Sequence, residues 1–329
     1  MRLTPRPVAA LALLAWASVA CAGGFDVTVL GARGGLEDGN LSAYLVQPIG
    51  DDRAVLCDAG TVLGGLEAAQ RQGALDHIAM PQAAGLTRPG YVARTIVRGY
   101  LISHAHLDHI AGLVAIAPDD AAKPIYALRS VNDTLARNVF NWAVWPNAGD
   151  RGTPPLLRQY HYQDLVAGQG VPVRGTALTI TAFPLSHGSV ESTAFLIEGG
   201  RNAMLYLGDT GADAIEKSTH LHDVWQAVAP LIRARRLRGI IIECSYDDAR
   251  PDRLLFGHLT PRWLTSELGD LQTVAGVSLR GLPVLVAHMK PSMRVGPRPE
   301  TVIMSELAAH DTTGVRFIPA EQGLRLLWK

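Results

Sequence analysis

Directly after the apolar run Thr95-Ile96-Val97-Arg98-Gly99-Tyr100-Leu101-Ile102 the chain reads Ser103-His104-Ala105-His106-Leu107-Asp108-His109. No other stretch restricts the fold as much. Four metal-competent side chains within six residues need a rigid edge to hold them, and a strand ending in polar residues supplies one. His104 and His106 alternate along an extended segment, so they point the same way and can share one ion. Asp108 and His109, past the bend, face a second. Three imidazoles and a carboxylate suit zinc and are too many for one closed structural site. The pattern predicts a two-metal hydrolytic centre.

Four further motifs follow the same logic of polar residues at strand ends. They are Val55-Leu56-Cys57-Asp58-Ala59-Gly60-Thr61, Leu185-Ser186-His187-Gly188, Tyr206-Leu207-Gly208-Asp209-Thr210 and Val286-Ala287-His288-Met289-Lys290-Pro291. In this order, and together with the HxHxDH stretch, they resemble the metallo-β-lactamase superfamily. The stretch from His104 to Val114 resembles the form found in class II 3′,5′-cyclic-nucleotide phosphodiesterases. So do Ile242-Glu243-Cys244-Ser245-Tyr246, Phe256-Gly257-His258-Leu259-Thr260-Pro261 and the His288-Met289-Lys290-Pro291 end. One departure is Ala117, where the class is expected to carry serine; it leaves the ligands untouched.

The resemblance implies an α/β fold, a four-layer α/β/β/α metallo-β-lactamase sandwich, and a complete ligand set for two zinc ions. His104, His106 and His187 would hold the first, Asp108, His109 and His288 the second, with Asp209 bridging. Asp58 would accept a hydrogen bond from a ligand imidazole and fix its tautomer. The implied activity is hydrolysis of 3′,5′-cyclic AMP, with cyclic GMP as a second substrate, to the 5′-monophosphate. His258 is the candidate for phosphate contact and general acid, with Glu243 orienting it and Asp108 counted among the catalytic residues. A salt bridge for Glu243, and for His258 a cap on the helix starting near Pro261, are the alternative readings. Asn40 and Ser245 are candidate substrate contacts, although turn formation explains Asn40 equally well. The loop Gly31-Ala32-Arg33-Gly34-Gly35 is not a phosphate cradle of the nucleotide-fold type, because no helix follows it.

Other superfamily chemistries compete: a lactonase, a sulfatase, a β-lactamase, or tRNA 3′-processing. A zinc-binding protein without turnover is the non-enzymatic alternative. Asp108 beside His109 stands against a β-lactamase, and Glu243 with His258 favours phosphoesters over lactones. Lys+Arg and Asp+Glu balance at 30 each, which leaves no basic excess to track a nucleic-acid polymer. The expected partner is a small cyclic nucleotide, with a homodimer left open.

Length and composition suit one large core in 329 residues, 48% of them hydrophobic. Residues 1–22 read as a signal peptide: Arg2 and Arg6, then an apolar Val8–Ala20 too short for a stable membrane span, then Ala20-Cys21-Ala22. The expected mature protein is a single domain over 23–329, periplasmic or secreted, with lipid anchoring at Cys21 as the minor alternative. Cys57 and Cys244 are expected to be free, buried thiols.

Strand-like runs occur at 25–30, 42–47, 53–57, 96–102, 124–127, 177–183, 193–198, 203–207, 239–244 and 283–287. Helix-like runs lie near 62–72, 109–116, 130–140, 213–234, 261–271 and 298–308. Periodicity alone gives only a mixed α/β protein; the sandwich comes from the resemblance. Residues 73–94 and 141–172 read as long loops, the second carrying Trp142, Trp145, Tyr160 and Tyr162. Those aromatics either stack on a base or pin the loop to the surface. The run Arg233, Arg235, Arg236 and Arg238 reads as a solvated helix end, and His220 and His222 as surface residues.

Overall fold

The computed structural model describes residues 23–329, so the expected signal segment lies outside the described residues. The first half of the chain forms β1 (Phe25–Gly31), β2 (Ala43–Pro48), β3 (Ala54–Cys57), α1 (Leu63–Arg71), α2 (Arg88–Tyr91), β4 (Val97–Leu101), α3 (Leu107–Ile116), β5 (Lys123–Leu128), α4 (Arg129–Thr134) and β6 (Tyr160–Leu165). The second half adds β7 (Gly170–Pro172), β8 (Leu178–His187), β9 (Val190–Gly199), β10 (Asn202–Leu207), α5 (Asp213–Glu216), α6 (His220–Arg233), β11 (Leu237–Glu243), α7 (Pro261–Ala275), β12 (Pro283–Ala287), α8 (Pro299–His310), β13 (Arg316–Pro319) and β14 (Arg325–Trp328).

Two seven-stranded sheets result, in the orders β14-β1-β2-β3-β4-β5-β6 and β13-β12-β11-β10-β9-β8-β7. Each is mixed: β3 to β6 and β10 to β13 run parallel, and the remaining pairs are antiparallel. The inner parallel strands β3, β10, β11 and β12 read as largely apolar runs because both of their faces are covered. Met204, Tyr206, Ile241 and Leu285 enter the core shared by the two sheets. Their neighbours Leu205, Leu207, Ile240, Ile242, Val284 and Val286 pack outward against Val224, Trp225, Leu264, Leu268 and Ile303 of the covering helices. That period-two alternation, with helices outside, is the expected layered sandwich.

Several boundaries differ from the expected ones, each for a local reason. The run at 213–234 is broken by Lys217, whose φ of 54° ends α5 and lets the chain restart as α6. The run at 130–140 is α4 followed by a wider turn over Leu135–Val139. Residues 73–94 contain the short turn Gln82–Ala84 and α2. The supposed loop at 141–172 ends in β6 and β7. Tyr160 is fully buried, meets Tyr100 edge-on at 5.8 Å and donates to Asp120 Oδ2 at 3.1 Å, which holds the otherwise polar β6 against β5. Strands β13 and β14, four residues each, were too short for a pattern to show. Cys57 and Cys244 are free and buried, as expected. Among the described residues no helix is long and apolar enough to cross a membrane.

One carboxylate ties the outer layer together. Glu267 of α7 accepts from Trp225 Nε1 of α6 at 3.1 Å and from the Asp213 amide at 2.9 Å. Burial pushes its pKa up to about 7. The folded protein therefore binds a proton between the usual glutamate range and pH 7 that the unfolded chain has already lost, so stability falls as pH rises through that window. Urea unfolding should show Glu267→Gln losing less stability than the native protein between pH 5 and pH 8, by roughly 2–4 kcal/mol. Parallel pH profiles for the two proteins would overturn this assignment.

Candidate metal centre

The functional side chains gather at the carboxyl ends of β4, β8, β10, β11 and β12 and in the first turn of α3. β4 delivers Ser103 and His104, and the chain then turns through the exposed His106 into α3, whose first turn carries Asp108 and His109. β8 ends at His187, Asp209 follows β10, Glu243 ends β11, and His288 follows β12. Strand ends buried on both faces hold these groups more rigidly than loops would.

Two groups of donors form, with Asp209 between them. His104, His106, His187 and Asp209 have ligand atoms within 4.8 Å of one another, as do Asp108, His109 and His288. Asp209 Oδ2 lies 3.8 Å from both His104 Nε2 and His187 Nε2, and 3.3 Å from His288 Nε2. Its Oδ1 lies 3.2 Å from His109 Nε2. The seven expected ligands therefore come together, and the aspartate stands where a bridge is needed. Bare imidazole nitrogens face each other at 3.0 Å for His104 with His106 and 3.2 Å for His109 with His288. Lone pairs so arranged repel unless a cation lies among them, so this donor set fits divalent metal.

Electrostatics agree for three of the ligand imidazoles, while at His109 burial is outweighed by Asp209 and Asp58, which raise its pKa. Burial, reinforced by the neighbouring imidazoles, pushes His104 well below the usual histidine range, and His106 also downward. Burial lowers His288 too. Neutral imidazoles are the form that binds metal. For Asp209 burial opposes the charge, but His288 and His109 outweigh it and hold the carboxyl well below its usual range.

The far side of the ligand rings is equally ordered. Asp58, fully buried after β3, accepts from His109 Nδ1 at 2.6 Å, from the Ser103 amide at 2.7 Å, from Ser103 Oγ at 2.6 Å and from the Tyr206 hydroxyl. Ser103 Oγ in turn takes His104 Nδ1 at 3.0 Å. Glu243 repeats the device from the other sheet. It accepts from His258 Nδ1 at 2.7 Å and from Ser245 Oγ at 2.6 Å, while Ser245 Oγ takes His288 Nδ1 at 2.9 Å. His187 Nδ1 donates to the Gly257 carbonyl at 2.8 Å. With each Nδ1 engaged, Nε2 of His104, His109, His187 and His288 is left for metal.

His258 does not cap α7. Its Nδ1 is committed to Glu243, its ring stacks on His288 with centroids 5.3 Å apart, and it also lies within ligand distance of Asp209 and His288. Burial disfavours its charge, but Glu243 outweighs that and raises its pKa. Of the two candidate substrate contacts, Asn40 takes the turn-forming role that the sequence equally allowed. Asn40 uses its Oδ1 on the Ala32 amide at 2.9 Å and its Nδ2 on Glu37 at 3.1 Å, so it shapes the loop. Ser245 is buried and ties His288 to Glu243. His220, expected on the surface, is half-buried and its Nδ1 lies 2.9 Å from Ser186 Oγ, beside His187. Sequence reasoning missed the roles of Ser103, Tyr206 and Gly34. A Cβ on Gly34 would come within 2.3 Å of the His288 ring, so the glycine loop lets backbone pass close over a ligand. Close approach of a glycine to a ligand ring leaves no mark in one sequence.

Ser245→Ala should weaken divalent-metal affinity by about 10–100-fold, because His288 loses the partner that orients it. Chelator competition measures this directly, and an unchanged affinity would show that the hydroxyl is not needed for the hold.

The model of the family described as cAMP phosphodiesterases class-II matches residues 25–323. A 3′,5′-cyclic-nucleotide phosphodiesterase of Aliivibrio fischeri is 42% identical over 92% of this chain and 92% of its own length. A probable 3′,5′-cyclic-nucleotide phosphodiesterase of Yersinia pestis is 42% identical over 91% of this chain and 88% of its own. Among solved structures, unliganded yeast PDE1 superposes with a TM-score of 0.80 at 24% identity, covering 92% of this chain and 99% of that one. The metallo-beta-lactamase fold protein YhfI of Bacillus subtilis gives 0.58 at 18% identity, over 92% and 99% of the two chains. The fold is the metallo-β-lactamase sandwich, and the chain belongs to the class-II cAMP phosphodiesterase family.

Proposed function

We propose that this chain is a zinc-dependent phosphodiesterase that hydrolyses 3′,5′-cyclic AMP, and cyclic GMP as a second substrate, to the 5′-monophosphate. The observation that carries the reading is the Glu243–His258 pair, closed at 2.7 Å directly beside Asp209 and His288. A cyclic phosphodiester loses an alkoxide, O3′, which is a poor leaving group and needs a proton.

His104, His106 and His187 would hold one zinc ion, Asp108, His109 and His288 the other, and Asp209 both. Bound there, the pair would lower the pKa of water and offset charge on the phosphoryl oxygens. The chain's own residues do the rest. Glu243 accepts from Nδ1 and favours the charged ring, so the imidazolium Nε2–H is the proton that can pass to O3′ as the P–O3′ bond breaks and a water oxygen joins phosphorus. Ser245 and Ser103 keep the ligand rings from turning while charge builds. Residues 23–329 would act as a single mature domain, exported to the periplasm or beyond by residues 1–22, and N-terminal sequencing of exported protein checks that boundary.

Purified zinc-supplied protein incubated with cyclic AMP should yield 5′-AMP by chromatography; a 3′-monophosphate, or no turnover of any cyclic nucleotide, would overturn the reading. Metal analysis should give two ions per chain, and Asp209→Ala should lose metal and abolish hydrolysis. One ion in the native protein, or full activity without Asp209, would count against the bridged pair.

His258→Ala should lower kcat for cyclic AMP by about 10²–10⁴-fold with metal content unchanged. The defect should shrink for a nitrophenyl phosphodiester, whose leaving group needs no proton. Equal losses on both substrates would make His258 a phosphate contact, and lost metal would make it a ligand.

A further inference from the structure

The arginine run that reads as a solvated helix end divides in two. Arg233 and Arg236 do close off helix and turn: Arg233 reaches the Ala275 carbonyl at 3.3 Å, and Arg236 the Arg201 carbonyl at 2.7 Å. Arg235 and Arg238 instead line a cavity of about 750 Å³, together with Arg280, Arg316 and Lys329. It opens between the starts of β11, β12 and β13 and the end of β14. The metal centre lies at the opposite ends of β11 and β12, roughly 20 Å along a seven-residue strand.

Five cationic side chains converge here from four separate segments, and no aspartate or glutamate side chain lines the cavity. Among the described residues none of the five is held in an ion pair; Arg238 Nε donates to Asn202 Oδ1 at 2.6 Å, which leaves the rest of its fork. A second arginine-lined cavity, beside the starts of β4 and β5, differs on this point. There Arg94 pairs with Asp119, Lys123 with Asp120 and His161 with Asp150, which neutralises half of its basic groups and leaves Arg98, Arg158 and Arg174 outside any ion pair among the described residues. The first cavity also contains Trp328, 3% exposed, whose indole Nε1 has no hydrogen-bond partner. Apolar walls come from Leu237, Leu282 and Pro283.

We propose that this cavity is a binding site for an organic phosphate. Like charges gathered with no acidic side chain among them repel, and a multivalent anion relieves that. Guanidinium forks match phosphate oxygens two at a time, as a lysine cannot. The volume is that of a small-molecule site rather than of a bare ion, and the apolar walls call for a ligand with a carbon body behind its phosphate.

Calorimetric titration of the zinc-loaded enzyme with phenyl phosphate, at fixed ionic strength, tests the assignment. A saturable site is expected, weakened at least about tenfold in Arg280→Ala/Arg316→Ala. That variant should retain turnover of cyclic nucleotide, since neither residue approaches the metal centre. His258→Ala should retain the site. Equal affinity in the arginine double variant, loss of binding in His258→Ala, or no saturable binding would each overturn the proposal. An isotherm reproduced by sodium chloride would do so as well, since it would reduce the cavity to general charge screening.

Discussion

Burying Asp58 and Glu243 is the constraint on which the rest of the site depends. A carboxylate taken out of water loses several kcal/mol of solvation unless hydrogen bonds replace it. Asp58 gathers Ser103, His109 and Tyr206; Glu243 gathers Thr210, Ser245, His258 and Leu259. The donors to Asp58 come from both sheets and converge only when both are in place, whereas those to Glu243 come from segments around the second sheet. The Tyr206 bond crosses the sandwich, from β10 of one sheet to the end of β3 in the other. Thr193 of β9 crosses likewise, donating to the Ser103 carbonyl at 2.8 Å. Folding of the sandwich and alignment of the ligands are thus one event.

The two carboxylates act alike. Each holds one imidazole directly and a second through a serine hydroxyl that both donates and accepts. A hydroxyl suits this because its proton rotates to the carboxylate while its lone pair stays toward the ring. The geometry has a local cost. Asp58 and His288 sit at φ of 51° and 57°, in the left-handed region that side chains other than glycine rarely adopt. Such a conformation costs on the order of 1–3 kcal/mol and persists where surrounding contacts over-determine it. Both residues turn the chain sharply off a strand end, which is what aims a short side chain back into the centre.

Much of this was legible in the sequence, and for a physical reason. Metal ligands are few residue types at tight spacing, so His104, His106, Asp108 and His109 announce themselves without any structure. The apolar runs of β4, β10, β11 and β12 announce the strands that carry them. What escaped was whatever depends on contact between distant segments. Ser245 reads as a substrate contact because a serine beside a motif looks available, and only the fold shows it wedged between His288 and Glu243. For Asn40 the sequence leaves substrate contact and turn formation equally open, and only the fold shows its side chain closing a loop onto Ala32. β6 is polar in sequence and stands as a strand only because Tyr160 finds Asp120. Gly34 carries no signal at all until the ring of His288 is placed beneath it.

The balanced formal charge conceals a separation along the strands. Imidazoles and carboxylates collect at the carboxyl ends of β11 and β12, and arginines at the other ends. Strands that are buried on both faces and paired in register do not bend readily, because close-packed interiors transmit strain only by repacking. Groups this far apart with no shared partners contribute independently. An anion seated among Arg235, Arg238, Arg280 and Arg316 therefore acts on the stability of the sandwich, where it neutralises stored repulsion, and leaves the chemistry at the far end of the same strands unchanged.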